Sequence, residues 1–370
     1  MKQLSLCSSI LKFTEIKEFT DNLQVNENDL IITCRYIYEP FFGSLPLPAQ
    51  IIFQEDFGEG EPSEPMIAGM LSAVTADYDR VIGIGGGTIM DIAKLFCLKN
   101  ITPLEDLFTG KIPAEKKCPL VLVPTTCGTG SEVTNVTIVN FPALDSKLRL
   151  AEDAMYADEA VFIPKLLEKI PYHIFATSSI DALIHAIESS LSPLATPYSE
   201  LFGHEAMRMI VGAYQKMREA GKDILSELLE QFLIASNYAG IAFGKAGCGA
   251  VHAMSYPLSG KYHVPHGEAN YALLTAVLKA YSQKTCSDKY DTVVKILKEL
   301  LHCETEDVFD ELDRLISFIL EKKPLHAYGT AAEDLPGFTD NVLLYQRVIM
   351  SHNPTILDRE DILGIYQSCL

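Results

Sequence analysis

The chain changes rhythm once, near Pro164–Pro171, and that change constrains its fold more than any single motif does. Ahead of it, short apolar runs rich in β-branched residues alternate with amphipathic stretches. Asp29–Thr33, Gln50–Phe53, Arg80–Ile84, Leu120–Pro124 and Ala160–Ile163 read as strands, with helices such as Pro65–Ala76 and Thr88–Leu98 between them. This alternation marks a mainly parallel sheet, because parallel neighbours need a long crossover connection. Alternating polarity over Val133–Asn140 and Lys147–Ala151 adds a small antiparallel hairpin. Past Pro171 a period of about 3.6 residues takes over and strand-like alternation nearly vanishes. Helices are expected over Pro171–Ser192, Tyr198–Ala220, Asp223–Gly240, Glu268–Lys284, Asp288–Leu301, Thr305–Lys322 and Asp340–Met350. Val251–Tyr271, broken by Pro257, Gly260 and Pro265, reads as two short helical pieces joined by a turn. The expected fold is an α/β domain over 1–168 followed by an all-α domain over 169–370. A chain of 370 residues is long enough for two cores. A ligand held by both halves would sit in a cleft between them.

The helical half carries the strongest chemical signal. Asp181 and His185 lie four residues apart, and His252 and His266 fourteen apart. Residues four apart on a helix share a face, so the first two are aimed at one point, and Glu188 falls within the same arc of roughly 60°. One carboxylate and three imidazoles make a site for a single divalent transition metal, and Glu188 would orient an imidazole from behind. The same pattern on an apolar face also arises from satisfied core histidines.

The formal net charge of −19 argues against nucleic acid or an acidic membrane as partner. The nine cysteines, Cys286 among them, are scattered without CxxC spacing. They make no disulfide framework and suit a reducing cytoplasm. The opening MKQLSLCSSILKF is too short in its apolar part for a signal peptide, and no apolar run is long enough to span a bilayer.

Two loops of the first half invite a phosphorylated ligand. RVIGIGGGTIMDIAKLF is a buried strand, three glycines, then a helix capped by Thr88. Such a turn exposes backbone N–H groups and a helix N-terminus to phosphate, or simply supplies a tight bend. It fits the dinucleotide fingerprint incompletely: the last glycine is missing, and Glu105 and Asp106, at the spacing of a ribose acid, do not end a strand. PTTCGTGSEVTNV clusters Thr125, Thr126, Thr129, Ser131 and Thr134, hydroxyls able to bind phosphate, ribose or carboxamide, or to make solvated turns. Cys127 within it has no histidine nearby in sequence and reads as structural.

The turn GGGTIMDIAK, the loop PTTCGTGSE, the helix DALIHAIES and the segment GAVHAMSYPLSGKYHVPHGEAN together resemble the successive signatures of the iron-containing (group III) alcohol dehydrogenase family, in its order and spacing. Within that family, the wording from Ser236 to Tyr271 is most similar to members acting on 4-hydroxybutyrate. The resemblance implies the dehydroquinate synthase-like architecture of that family: a dinucleotide-binding α/β domain and a helical domain holding one Fe(II), with zinc as an alternative. Asp181, His185, His252 and His266 fall on the family's metal ligands. Gly86, Gly87 and Thr88 fall on its pyrophosphate-binding turn, with Asp91 opening the helix behind. Thr125, Thr126, Thr129 and Thr134 match its cofactor-binding threonines, and Lys147 lies near a cofactor-contacting lysine. Its relatives suggest a homodimer or a larger homo-oligomer.

Two positions depart from that pattern. Many members carry a second histidine four residues after the third ligand, to relay protons; here the position is Tyr256, so the relay falls to Tyr256, His263, or water and the ribose. Many also carry an aspartate after the first strand for the adenosine ribose; here that position is Cys34, followed by Arg35, so NADP stays open beside NAD. The implied chemistry is hydride transfer between NAD(H) and a small alcohol or aldehyde, with 4-hydroxybutyrate and succinate semialdehyde as the expected pair. A substrate carboxylate needs a cation or strong donors, and Lys245, Lys261 and His263 are the nearest in sequence. Lyase and polyol relatives such as dehydroquinate synthase or glycerol dehydrogenase generally lack the histidine at the position of His185.

Overall fold

The computed structural model describes residues 3–45, 47–144, 146–284 and 287–370; Cys286 lies outside the described residues. The chain groups into two compact units, Leu6–Ile170, and Pro171–Leu370 together with the residues ahead of Leu6.

The first unit runs β1 (Ser9–Lys12), α1 (Ile16–Leu23), β2 (Asp29–Thr33), α2 (Arg35–Phe42), β3 (Gln50–Phe53), α3 (Glu64–Ser72), β4 (Arg80–Gly85), α4 (Gly87–Phe96), α5 (Leu104–Phe108), β5 (Leu120–Pro124), β6 (Val136–Phe141), β7 (Ser146–Ala151) and β8 (Glu159–Phe162). Six strands form a parallel sheet in the order β1-β8-β5-β4-β2-β3. Its inner strands are apolar on both faces, as helices on either side require: every residue of β2 and β5 is buried. β6 and β7 pair antiparallel as the expected hairpin. β1 was not expected. Ser9–Lys12 is mostly exposed and becomes a strand only by pairing Ser9 through Lys12 with Glu159 through Phe162. Because the six strands are parallel, the segments after β2, β3, β4 and β5 leave along one edge, where open α/β sheets bind ligands.

The second unit is helical: α6 (Tyr172–Leu191), α7 (Pro197–Ala220), α8 (Leu225–Ala246), α9 (Ala250–Tyr262), α10 (His266–Ser282), α11 (Asp288–Leu301), α12 (Val308–Ile319), α13 (Leu335–Tyr345), α14 (Arg347–Met350) and α15 (Arg359–Cys369). From Ser179 to Leu191 every residue of α6 is buried, so α6 is the axis of this unit. The last expected helix, Asp340–Met350, is instead α13 and α14, α15 was not expected, and two further departures concern the site. α8 continues past Gly240 to Ala246 and stops at Gly247, whose φ of +75° suits glycine. α9 runs unbroken through Pro257 and Gly260, with the chain turning only at His263 and Pro265. In both, burial against neighbouring helices outweighs a local helix-breaking preference of about 1 to 3 kcal/mol. Among the described residues no helix is long and apolar enough to cross a membrane.

One buried cation ties the first unit's loops together. Lys94 on α4 has no exposed surface. Its ammonium donates to Ser131 Oγ at 2.6 Å, Val136 O at 2.7 Å and Thr134 Oγ1 at 3.1 Å, and lies 3.5 Å from Asp91 Oδ1. Ser131 Oγ in turn donates to Asp91 Oδ1 at 2.6 Å. Lys94→Met keeps the aliphatic stem but strands these acceptors in a dry interior, at a cost of about 3 kcal/mol. Urea unfolding followed by far-UV circular dichroism is expected to show a lower midpoint for the first unit; an unchanged midpoint would show the network to be energetically idle.

Candidate functional site

α6 presents Asp181 and His185 one turn apart, and α9 and α10 bring His252 and His266 to the same place. Asp181 Oδ1 lies 3.5 Å from His252 Nε2 and 3.7 Å from His266 Nε2, and Asp181 Oδ2 lies 3.8 Å from His185 Nδ1. None of these is a hydrogen-bond distance. They are the spacings of donors sharing one ion: two atoms each about 2.1 Å from a metal at a tetrahedral angle sit about 3.4 Å apart. His185 Nδ1 and His252 Nε2 are buried atoms without a hydrogen-bond partner, each within 4 Å of an Asp181 oxygen.

The surroundings lock these donors. Glu188, one turn beyond His185 and 2% exposed, accepts Val251 N–H at 2.6 Å and Gly249 N–H at 2.9 Å, and its Oε2 lies 2.6 Å from His252 Nδ1. An ionised carboxylate only accepts, so His252 carries its proton on Nδ1 and turns the Nε2 lone pair toward Asp181. His185 is stacked between Phe243, ring centroids 4.3 Å apart, and His252, 4.6 Å. Asn270, one turn after His266, donates from Nδ2 to Asp181 Oδ1 at 2.8 Å. The approach of α10 to α6 depends on Gly267, where a Cβ would lie 2.2 Å from Thr177 O.

Electrostatics agree with the geometry. Burial pushes the Asp181 carboxyl up, but His185, His266 and His252 more than reverse this and hold it well below the usual carboxylate range. Burial lowers the proton affinity of His252 and His185, yet Cys248, Asp181 and Glu188 around His252, and Asp181 and Cys248 around His185, raise both above the ordinary imidazole value. Cys248, flanked by glycines between α8 and α9, also faces His185 and His252, the donor atoms of all three lying within 4.8 Å of one another. Burial raises its thiol, but the two imidazoles bring it down to about 7.

Of the expected relay residues, Tyr256 stays close, its ring 6.2 Å from that of His266. Burial is the main cause that lifts its phenol to about 12. His263 is exposed, with a left-handed φ of 53° as the C-cap of α9, its N–H on Ser259 O; among the described residues no contact joins it to the ligand cluster.

In the first unit, the glycine turn and the threonine loop lie against each other after β4 and β5. The N-cap of α4 is Gly86, not Thr88, whose hydroxyl instead donates to Gly60 O at 3.1 Å. With no side chain capping it, the start of α4 offers free backbone donors, as an anion site requires. A Cβ on Gly87 would lie 2.7 Å from Thr129 Cγ2, so only glycine lets the two loops touch. Thr125 Oγ1 is buried without a hydrogen-bond partner, and Thr126 and Thr129 are half-buried beside the turn. Asp91 and Thr134 differ: both engage Lys94 and Ser131, which gives them a bracing role behind the loop. Lys147 on β7 is paired with Glu61. Glu105 and Asp106 lie in α5, and Asp106 pairs with Lys111 at 2.7 Å.

An acid does stand beside the sheet edge, one strand over from where sequence reasoning sought it. Cys34 after β2 is buried, and burial pushes its thiol up to about 11. Arg35 N–H donates to Glu55 Oε1 at 2.5 Å, and the Arg35 guanidinium is held by both oxygens of Asp56 at 2.8 and 2.9 Å. Glu55 and Asp56 follow β3, which pairs with β2, so only the sheet order brings them to Arg35. Asn270 was detectable, four residues from His266 on one helix face; Cys248 and Phe243 carry no sequence signal linking them to His185.

Comparison with known proteins accords with this geometry. The model of the iron-containing alcohol dehydrogenases matches residues 12–164, and that of the C-terminal part of the Fe-containing alcohol dehydrogenase family matches 175–370. The 4-hydroxybutyrate dehydrogenase of Clostridium kluyveri is 43% identical over 368 residues, 99% of each chain. Long-chain-alcohol dehydrogenase 1 of Geobacillus thermodenitrificans is 32% identical over 320 residues, 83% of this chain and 80% of its own. The crystal structure of sulfoacetaldehyde reductase from Bifidobacterium kashiwanohense in complex with NAD+ superposes with a TM-score of 0.86, over 100% of this chain and 98% of that one, at 20% identity, a likeness of fold. The chain belongs to the iron-containing alcohol dehydrogenase family.

Proposed function

We propose that this enzyme interconverts 4-hydroxybutyrate and succinate semialdehyde with NAD+/NADH, using one Fe(II) held by Asp181, His185, His252 and His266. The observation that carries the reading is the approach of three imidazoles to the Asp181 carboxylate at 3.5 to 3.8 Å, with His185 and His252 buried and each leaving a ring nitrogen without a hydrogen-bond partner. Three nitrogens and one oxygen suit Fe(II) and also accept zinc. The chemistry such an ion supplies is Lewis-acid polarisation of the substrate oxygen, and the nicotinamide gives or takes the hydride. The substrate follows the 43% identity to the Clostridium kluyveri enzyme.

The chain's own residues prepare the rest. Glu188 sets the tautomer of His252, Phe243 restrains His185, and Asn270 holds Asp181. In this reading Tyr256, with its ring near His266 and its phenol kept protonated at neutral pH, gives a proton from its phenol oxygen during aldehyde reduction. The start of α4 and the hydroxyls of Thr125, Thr126 and Thr129 receive the cofactor's pyrophosphate and neighbouring groups. A homodimer belongs to the same reading, as does a reducing cytoplasm, which the absence of a disulfide among the described cysteines supports. NAD over NADP is supported by the edge after β2 and β3. There Asp56 holds the Arg35 guanidinium and Glu55 accepts the Arg35 backbone N–H, two carboxylates against one cation, so a 2′-phosphate meets net negative charge while ribose hydroxyls can donate to Glu55.

Three measurements test these assignments. Glu188→Gln is expected to weaken iron retention about 10- to 100-fold, read as metal content after dialysis against graded chelator, since the amide no longer fixes His252. Retention equal to wild type removes Glu188 from the metal's support. Anaerobic assay of the iron-loaded enzyme with NADH is expected to favour succinate semialdehyde over butyraldehyde by at least about ten-fold in kcat/KM. Equal efficiency would remove the substrate assignment and leave the family. Replacing both Glu55→Gln and Asp56→Asn is expected to raise NADPH affinity relative to NADH about ten-fold in fluorescence titration. An unchanged ratio means that this edge does not select the cofactor.

A further inference from the structure

We propose that Cys248 is a further donor to the metal centre, a thiolate that lets the site take a thiophilic ion such as zinc through sulfur. The proposal rests on the reading that Asp181, His185, His252 and His266 hold a cation, and it adds one atom from the loop between α8 and α9. The donor atoms form two overlapping groups of three. Asp181, His252 and His266 make one, His185, Cys248 and His252 the other, and within each group all atoms lie within 4.8 Å of one another. A nitrogen and a sulfur bound to one tetrahedral zinc sit about 3.6 Å apart, so side-chain shifts of about 1 Å close the second group on an ion. His252 belongs to both groups, and His185 also stands 3.8 Å from Asp181.

The two imidazoles of the second group are in need of a partner. His185 Nδ1 and His252 Nε2 are buried and bond to nothing, and Glu188 occupies the other nitrogen of His252. Among the described residues no other cysteine joins such a group of donors. Cys34, Cys97 and Cys118 lie instead in the apolar core of the first unit, where a thiol acts as a small hydrophobe.

The loop that carries Cys248 is held on both sides. His352 Nδ1 donates to Cys248 O at 3.0 Å, and Gly249 N–H donates to Glu188 Oε2 at 2.9 Å. A Cβ on Gly247 would lie 2.3 Å from His352 Nδ1, and one on Gly249 would lie 2.9 Å from Asn353 Oδ1. Side chains are thus excluded at 247 and 249 and present at Cys248. A donor on a fixed backbone gives up little freedom when it binds.

On binding, the S–H bond gives its proton to solvent and a sulfur lone pair forms the bond to the cation, with no change in oxidation state. Thiolate and carboxylate together neutralise a divalent ion. Soft sulfur favours zinc over iron(II), so Cys248 shifts the metal preference of a site whose other donors are nitrogen and oxygen.

The test titrates the metal-free full-length protein with Co(II) under anaerobic conditions, wild type beside Cys248→Ser and Cys248→Ala, each checked for cobalt stoichiometry and melting temperature. The wild type is expected to show a near-ultraviolet sulfur-to-cobalt charge-transfer band. Both variants are expected to lose it while keeping the visible bands of an ion bound by nitrogen and oxygen. In zinc-loaded wild type, X-ray absorption at the zinc edge is expected to find one sulfur neighbour at about 2.3 Å, a readout that needs no variant to fold. The ratio of zinc to iron retained against chelator is expected to fall about ten-fold in Cys248→Ala. One bound ion with nitrogen and oxygen neighbours alone overturns the role of Cys248 and leaves the four-ligand centre standing. A band that survives both substitutions, or an unchanged retention ratio, overturns it as well. A wild type that takes up neither cobalt nor zinc overturns the metal centre itself, and the role of Cys248 falls with it.

Discussion

The helical unit is organised around the Glu188 carboxylate. It is buried on α6, yet it is satisfied three times over by the N–H groups of Gly249 and Val251 and the imidazole of His252. An anion at a helix N-terminus is stabilised by unpaired N–H groups and by the helix dipole. Here the same anion also orients the first histidine of that helix. One interaction therefore docks α9 on α6, sets the tautomer of His252 and aims a lone pair at Asp181. Removing it would cost packing and coordination together.

Around this joint, each proposed ligand is restrained by something that is not a ligand. Phe243 and His252 sandwich the His185 ring, Asn270 bonds Asp181, and Gly267 admits α10 close enough for His266 to arrive. Buried ring nitrogens left without a partner beside a carboxylate, as in His185 and His252, are unfavourable unless a cation or protons reach them. The raised proton affinities of His185 and His252 express that demand. The first unit shows the converse arrangement. There the cation is built in: Lys94 sits behind the threonine loop and holds Asp91, Ser131 and Thr134 in place. That leaves the start of α4 without a side-chain cap, as the proposed pyrophosphate site requires.

Sequence reasoning located what depends on local spacing. Asp181, His185 and Glu188 share a face because a helix repeats every 3.6 residues or so, and that needs no tertiary information. The same rule would have found Asn270 from His266. It failed where the fold overrules a local preference. Pro257 and Gly260 suggested a broken helix, but α9 continues through both. Thr88 looked like a cap, but the extended backbone falls on Gly86. Ser9–Lys12 shows no strand pattern because its edge position leaves most of it exposed.

The chain by itself determined the fold class, the change from sheet to helices near Pro171, and the pairing of Asp181 with His185, because periodicity and turn chemistry are local properties. Only the tertiary structure decided that Glu55 rather than Cys34 is the acid beside Arg35, because strand order, not sequence distance, makes β2 and β3 neighbours. It likewise decided that Asp91 and Thr134 brace a loop from within, since hydroxyl and carboxylate groups look alike in sequence whether they face a ligand or a buried ammonium. Lys261 shows the same dependence on the fold: its partner Asp334 is 73 residues away along the chain.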